Sequence, residues 1–321
     1  MKIPMFRSVF ADEIQAYLNY RESAGYKIVS FLTKLRQFDS FCVQQKINEP
    51  IFTTENAANW IMKKENEAVT THYARVNAIK HFLIFLSKKG YDIYITGDVH
   101  FKPTSFQPHI YSDDEIRRYF RAVDTYESAR NRKSSIQYPV LFRLMYCCGT
   151  RVNEVLGIRR KDVDLKDGVI KLYETKNDLV RYIVLGNDLK SLMEKYAEKC
   201  FYLLKDEDYI FTTSYGERLG RDVLYEAHRL FLQQANIPFL GEGKGPRVHD
   251  WRHTMAVRSF KQLIDSGMDM YVCLPIISTY LGHKNIFATE RYVRLTMDIY
   301  PYIEEKVRTK MEKVFGKEAR L

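Results

Sequence analysis

The sequence predicts a mainly α-helical protein with one small antiparallel β-sheet, divided into an N-terminal helical bundle and a larger C-terminal domain. Three features predict this. Apolar residues recur at three- and four-residue steps through the first part of the chain; a proline-bearing stretch then interrupts the pattern; and one later segment switches to strand-like character on both sides of a turn.

In the first part, Phe10, Ile14, Tyr17 and Leu18 mark one helix, and Ile28, Phe31, Leu32, Leu35, Phe38 and Cys42 a second. A third begins after Thr54 and presents Ala57, Trp60 and Ile61, and a fourth carries Tyr73, Val76, Ile79, Phe82, Leu83 and Leu86. Four amphipathic helices with short connections bury their stripes against one another as a bundle. Pro103 and Pro108 then exclude a continuing helix. The expected division is 1–102 for the bundle, 103–111 for a linker and 112–321 for the second domain.

The second domain opens with Ser112 and Glu115 spaced as a capping box. In "GVIKLYETKNDLVRYIVLG", β-branched and aromatic residues flank Lys176, Asn177 and Asp178, which predicts two antiparallel strands and a tight turn. Helices follow, one around 223–234 and several to the end, with a final one from Pro301 presenting Ile303, Val307, Met311 and Val314 on one side.

The 321 residues suffice for two cores, and 45% hydrophobic with 14% aromatic content is globular rather than disordered. The net charge is +10, with +3 in residues 1–100 and +7 beyond, so both parts suit a polyanionic partner. Five cysteines without a C-x-x-C spacing read as reduced thiols and propose no metal site. No apolar run reaches membrane-spanning length, and "MKIPMFRSVFADEIQ" lacks a signal-peptide core, so a cytoplasmic protein is expected.

Four short stretches bear chemistry. In "YCCGTRVNEVLGIRRKDVDL", Gly149 breaks a helix and Thr150 is placed to cap the next, which puts Arg151 in its first turn and Glu154 one turn on. A guanidinium there opposes the helix dipole, so something other than helix stability favours it; Glu154 is placed to steer it. In "PRVHDWRHTMAVRSF", His249 and Arg252 are three apart and share a helix face, Asp250 is a candidate cap, and His253 is expected to point elsewhere. Lys176 sits at the apex of the predicted hairpin, a rigid arm able to deliver an amine. In "LGHKNIFATERYVRL", Gly282 reads as a helix stop before His283, and Tyr292 follows between Arg291 and Arg294. Alone, Lys176 is a solvated turn residue, His283 a helix cap and Tyr292 an amphipathic filler.

Together, Arg151, Lys176, His249, Arg252, His283 and Tyr292 occur in an order and approximate spacing that resembles the tyrosine recombinases, which include phage integrases, transposon integrases and chromosome-dimer resolvases. The resemblance covers the second domain, and the N-terminal bundle looks like the family's core-binding, SAM-like domain. It implies a site-specific recombinase of integrase or transposon type that breaks and rejoins double-stranded DNA through a 3′-phosphotyrosine. In it Tyr292 would be the nucleophile, Arg151 and Arg252 the phosphate clamps, His249 the base, Lys176 the general acid, His283 a donor to phosphate, and Glu154 a supporting acid. No metal or other cofactor is implied, because the phosphotyrosine conserves the energy of the broken bond.

The resemblance further implies a clamp around the duplex, with Lys34, Arg75, Lys80, Lys88 and Lys89 as candidate phosphate contacts, and a tetrameric synapse in which the C-terminal helix docks on a neighbouring protomer. The stretch from Arg252 to His283 is longer than in many members. Two other functions stand beside the one that the resemblance implies: a type IB topoisomerase, which would share the chemistry and relax DNA, and a DNA-binding regulator that kept the fold and lost catalysis. A silent regulator should have lost Arg151, Arg252 or Tyr292, and all three are present.

Overall fold

A computed structural model describes residues 6–26, 28–97, 99, 107–128, 132–173, 180–239, 241, 245–283, 287–303, 305 and 309. The chain divides into two compact units, 1–106 and 107–321.

The first unit holds α1 (Ala11–Ser23), α2 (Val29–Gln44), α3 (Thr54–Ile61) and α4 (Val69–Lys88), the four helices that the apolar spacing predicts. Their stripes meet in one core in which Phe38 contacts the rings of Phe10, Phe52, Trp60 and Phe82 at centroid distances of 5.9, 5.4, 5.4 and 5.7 Å. α3 starts at Thr53, whose hydroxyl accepts from the Asn56 backbone while the Asn56 side chain accepts from the Thr53 backbone.

One expected phosphate contact is corrected here. Arg75 is 2% exposed and binds Glu67 through Nε at 2.7 Å and Nη2 at 2.9 Å. Its Nη1 and Nη2 also donate to the carbonyls of Trp60 (2.5 Å) and Met62 (3.0 Å), which close α3. The end of a helix leaves carbonyls that its own backbone cannot satisfy, and a guanidinium is the side chain that fills several at once. The hydrogen bond from Arg75 holds the Glu67 carboxyl down at about 2. Arg75 is therefore a latch between α3 and α4, with no donor surface facing a duplex. Lys34 and Lys80 are half-buried and Lys88 and Lys89 exposed, with Lys89 Nζ on the Glu13 carboxylate at 2.5 Å.

The second unit runs through α5 (Asp113–Asp124), α6 (Arg132–Cys147), α7 (Val152–Leu156), a 3₁₀ turn (Arg160–Asp162), β1 (Val163–Asp164), β2 (Val169–Tyr173) and β3 (Val180–Val184). It continues with α8 (Asn187–Cys200), α9 (Arg221–Gln234), α10 (Asp250–Asp265), α11 (Met270–Leu281) and α12 (Phe287–Ile299). The sheet is antiparallel in the order β1-β2-β3, with Ile170 opposite Ile183 and Leu172 opposite Arg181. The predicted capping box forms: Ser112 Oγ accepts from Glu115 N and Glu115 Oε2 from Ser112 N. β1, two residues long, is too short to leave a period in the sequence. The hairpin turn with Lys176 lies outside the described residues.

The expected linker ends inside this unit. Tyr111 is 1% exposed and stacks on Trp251 at 3.9 Å, while its N–H donates to Thr254 Oγ1. Trp251, also ringed by Tyr119, Phe120 and Tyr146, anchors the α5–α6–α9 core. α10, α11 and α12 share a second core that includes Ile303, 0% exposed, so the turn expected from Pro301 begins by packing on its own domain. Val307, Met311 and Val314 of that helix lie outside the described residues. Among the described residues no helix is long and apolar enough to cross a membrane.

Candidate active site

The site begins where α6 stops. Gly149 takes φ +57°, a conformation that L side chains resist, and a Cβ there would lie 3.0 Å from Leu281 Cδ2 and 3.2 Å from Met255 Sδ. Arg151, not Thr150, then occupies the N-cap of α7, with φ −78° and ψ 153°. Among the described residues the Thr150 hydroxyl, which is buried, has no hydrogen-bond partner. The cap is made from the other side: Glu154 Oε2 accepts the Arg151 N–H at 2.8 Å, and Oε1 accepts Arg151 Nη1 at 2.8 Å. Glu154 thus offsets the guanidinium charge at the positive end of the helix.

Glu154 serves a second arginine. Arg181, on β3, donates Nη2 to Glu154 Oε2 at 2.7 Å. Burial at 3% exposure would raise the Glu154 carboxyl, but Arg181 and Arg151 outweigh it and the net shift is downward. The sequence reading did not single out Arg181. Its signal was the strand alternation: Arg181 has the inward parity of Ile183, and a charge at an inward strand position needs a partner.

α11 ends in a Schellman-type turn. Gly282 sits at φ 66° and ψ 48°, its N–H bonds to Thr279 O, and the His283 N–H bonds to Ser278 O. The three carbonyls at this end each receive a different guanidinium. Tyr280 O accepts Arg181 Nη1 at 2.8 Å, Leu281 O accepts Arg252 Nη2 at 2.6 Å, and Gly282 O accepts Arg151 Nη2 at 3.1 Å. The partial negative charge of a helix C-terminus gathers three cations that would otherwise repel. Arg252 is 1% exposed and also donates Nη1 to Gly149 O at 2.5 Å. Burial, with Arg151 nearby, lowers it to about 10, still cationic at neutral pH.

Tyr292 comes from α12 and is 3% exposed. Its hydroxyl lies 3.0 Å from His253 Nδ1, and the His283 ring stacks on its ring at 6.0 Å and 11°. His283 Nδ1 is in turn 2.8 Å from Thr289 Oγ1. Burial raises the Tyr292 phenol, Arg252 and Arg291 pull it down, and the net shift is upward, so the resting phenol keeps its proton.

His253 does not point away as expected. It follows His249 by four residues, one helical turn, and the two rings meet edge to face at 4.8 Å. That spacing was the available signal. His249 itself is the N-cap of α10, and Asp250 turns back to accept the Arg247 N–H at 2.9 Å and Nη2 at 3.1 Å instead of capping that helix with its carboxylate. All three imidazoles stay neutral. Burial, then Arg252, Arg247 and Arg151, lowers His249 to about 4; burial, then His249 and Arg291, lowers His253 to about 3; burial, then Arg252, Arg151 and Arg181, lowers His283 to about 4.

Arg151, Glu154, His249, Arg252, His283 and Tyr292 are therefore joined through a continuous set of contacts, with Arg181 and His253 added to them. Neutral imidazoles can accept or pass protons, and fixed guanidiniums bind an anion, so the arrangement suits chemistry at a phosphate ester.

Comparison with known proteins finds relatives among integrases and recombinases. A putative integrase/recombinase, y4rB, of Sinorhizobium fredii is 25% identical over 295 residues, covering 89% of this chain and 93% of the relative. The tyrosine recombinase XerC of Staphylococcus saprophyticus is 25% identical over 300 residues, 88% of this chain and 92% of the relative. In fold, the XerH site-specific recombinase bound to palindromic difH substrate aligns with TM-score 0.66 at 17% identity, over 87% of this chain and 78% of that one. The Tn1549 transposon integrase with transposon right end DNA aligns with TM-score 0.65 at 14% identity, over 87% and 94%. Residues 112–298 match the family model described as the phage integrase family, more than half of the chain, and the chain accordingly belongs to that family, the tyrosine recombinases.

Proposed function

We propose that this protein is a site-specific DNA recombinase, of integrase or transposon type, which cleaves and rejoins double-stranded DNA through a 3′-phosphotyrosine on Tyr292, without a metal ion. The observation that carries the proposal is the convergence of Arg151 and Arg252 on the Gly282 and Leu281 carbonyls at the end of α11, immediately before His283, whose ring stacks on that of Tyr292.

A phosphodiester is an anion that repels nucleophiles, and its transition state concentrates more charge on the non-bridging oxygens. Arg151 and Arg252 supply donors held in place before the substrate arrives, and losing one such donor costs about 10²–10³ in rate. His283, neutral in the free protein, donates to a phosphate oxygen. His249, at the head of α10, is assigned the role of base, and Lys176 protonation of the 5′ oxygen as it leaves. The phosphotyrosine stores the energy of the broken bond, so religation consumes no nucleotide. XerH is bound to its difH substrate and the Tn1549 integrase to transposon right end DNA, which supports duplex DNA as the partner here. The proposed assembly is a tetramer on two duplexes.

The test is covalent trapping on a nicked duplex. Wild type is expected to accumulate a protein–DNA adduct and Tyr292→Phe none; an adduct of undiminished yield in Tyr292→Phe would move the nucleophile elsewhere.

A further inference from the structure

The phenol of Tyr292 is held by a side chain to which the scheme above gives no task. His253 Nδ1 lies 3.0 Å from Tyr292 Oη, and His253 is 7% exposed. The protonated phenol can donate to Nδ1, a direction that puts the ring hydrogen on Nε2. His249 stands next to this pair, ring to ring with His253, at the end of α10 that also carries Arg252.

We infer that His253, rather than His249, accepts the phenolic proton of Tyr292 during strand cleavage and returns it during rejoining, which moves the base one helical turn along α10. The inference rests on Tyr292 being the nucleophile. In the forward step Tyr292 Oη bonds to phosphorus and the bond from phosphorus to the 5′ oxygen breaks. The Oη proton passes to Nδ1, making His253 an imidazolium, and the 5′ oxygen leaves with a proton from the general acid assigned to Lys176. Rejoining runs each transfer backwards.

The electrostatics make this acceptor dependent on substrate. Facing His253 are His249 and Arg252 from its own helix, Arg247 just before it, and Arg291 and Tyr292 from α12; burial and those cations keep the ring unprotonated in the free protein. A phosphodiester bound at Arg151 and Arg252 cancels part of that positive field. The proton affinity of His253 then rises when DNA is in place, which is when the proton has to move.

The experiment measures single-turnover adduct formation on a duplex selected by this protein from a randomised pool and nicked beside the cleaved phosphate. His253→Asn keeps an acceptor near the position of Nδ1 but takes up no proton; His253→Ala keeps neither. Both are expected to lose about 100-fold in rate near neutral pH with unchanged DNA affinity. A 5′-bridging phosphorothiolate, whose sulfur leaves without a proton, should rescue Lys176→Ala and not His253→Asn.

A His253→Asn rate within threefold of wild type would reduce His253 to a positioning contact, and rescue of that variant by the phosphorothiolate would make it an acid; either overturns the inference. Should both variants misfold, the ¹⁵N imidazole spectrum of the wild-type protein decides: a bare Nδ1 supports the assignment and a hydrogen on Nδ1 overturns it. An adduct in Tyr292→Phe removes the nucleophile reading and this inference with it, whereas loss in Tyr292→Phe with a near-wild-type His253→Asn removes this inference alone.

Discussion

Glu154 shows how one side chain can settle two problems. It completes the N-cap of α7 for Arg151 and neutralises Arg181, so neither guanidinium is left in a partly buried site without a counter-charge. Replacing it by Ala removes the partner of two cations. Full burial of a broken pair costs about 3–5 kcal/mol; with Arg151 still 29% exposed, the expected loss is on the order of 2 kcal/mol by denaturant unfolding, and a loss under about 0.5 kcal/mol would contradict the account. Its carboxyl is depressed in the folded state, so this contribution is present above the unfolded carboxylate pKa and is lost as pH falls through the lower, folded one. Arg75 shows the opposite outcome for a residue type: the same guanidinium chemistry spent wholly on Glu67 and helix-end carbonyls. Arg75→Ala should therefore destabilise the first unit and leave the salt slope of DNA binding unchanged.

At the scale of elements, the end of α11 is the part on which the site is assembled. Its last carbonyls hold Arg181, Arg252 and Arg151, and the αL residue Gly282 aims them. An alanine at Gly282 would adopt a disfavoured φ of 66° and bring its Cβ to 3.1 Å from Arg181 Cδ. The αL penalty alone is roughly 1–2 kcal/mol. Gly25 provides the comparison, because it too has positive φ, +77°, but open space around a new Cβ. Gly282→Ala should lower both stability and the single-turnover cleavage rate, and Gly25→Ala stability only. Equal cleavage rates in the two variants would show that the helix end does not aim the arginines. α10 contributes in the same way by repetition: one turn of helix brings His249 and His253 together, and the same turn carries Arg252.

Across the whole molecule, charge and protonation set the behaviour. His228 is 2% exposed, 2.7 Å from Tyr119 Oη, and lowered to about 3, chiefly by burial; His253 is lowered to about 3 as well. A histidine depressed in the folded state binds fewer protons there than when unfolded. The stability it allows is therefore complete above its unfolded pKa of ~6.5 and declines below it, by up to about 1.4 kcal/mol per pH unit for each such residue, until the folded pKa near 3 is reached. Denaturant unfolding at pH 7 and pH 5 should show a clear loss at the lower pH; equal stability would contradict it. For DNA affinity, Lys34, Lys80, Lys88 and Lys89 are the remaining candidates in the first unit. Each one that contacts phosphate should reduce the slope of log affinity against log salt by about 0.9 when replaced by Ala, and an unchanged slope removes that residue from the interface.

Much was legible before any coordinates. The four helices of the first unit, the Ser112–Glu115 cap, the strands flanking Lys176 and the order of Arg151, His249, Arg252, His283 and Tyr292 all follow from period, spacing and residue type, because those are local properties of a chain. What the sequence could not disclose is which donor meets which acceptor across long separations. Arg75 and the other basic residues of α4 look alike in one dimension; only the packing of α3 against α4 consigns Arg75 to the interior. Arg181 and Tyr280, or His253 and Tyr292, lie far apart in the chain and are joined only by the folding of β3 onto α11 and of α10 against α12. Residue identity determined that a phenol, imidazoles and permanent cations were available. Burial and the direction of one helix end decided which of them share a site, because hydrogen bonds and charge act over a few ångströms of space and not along the sequence.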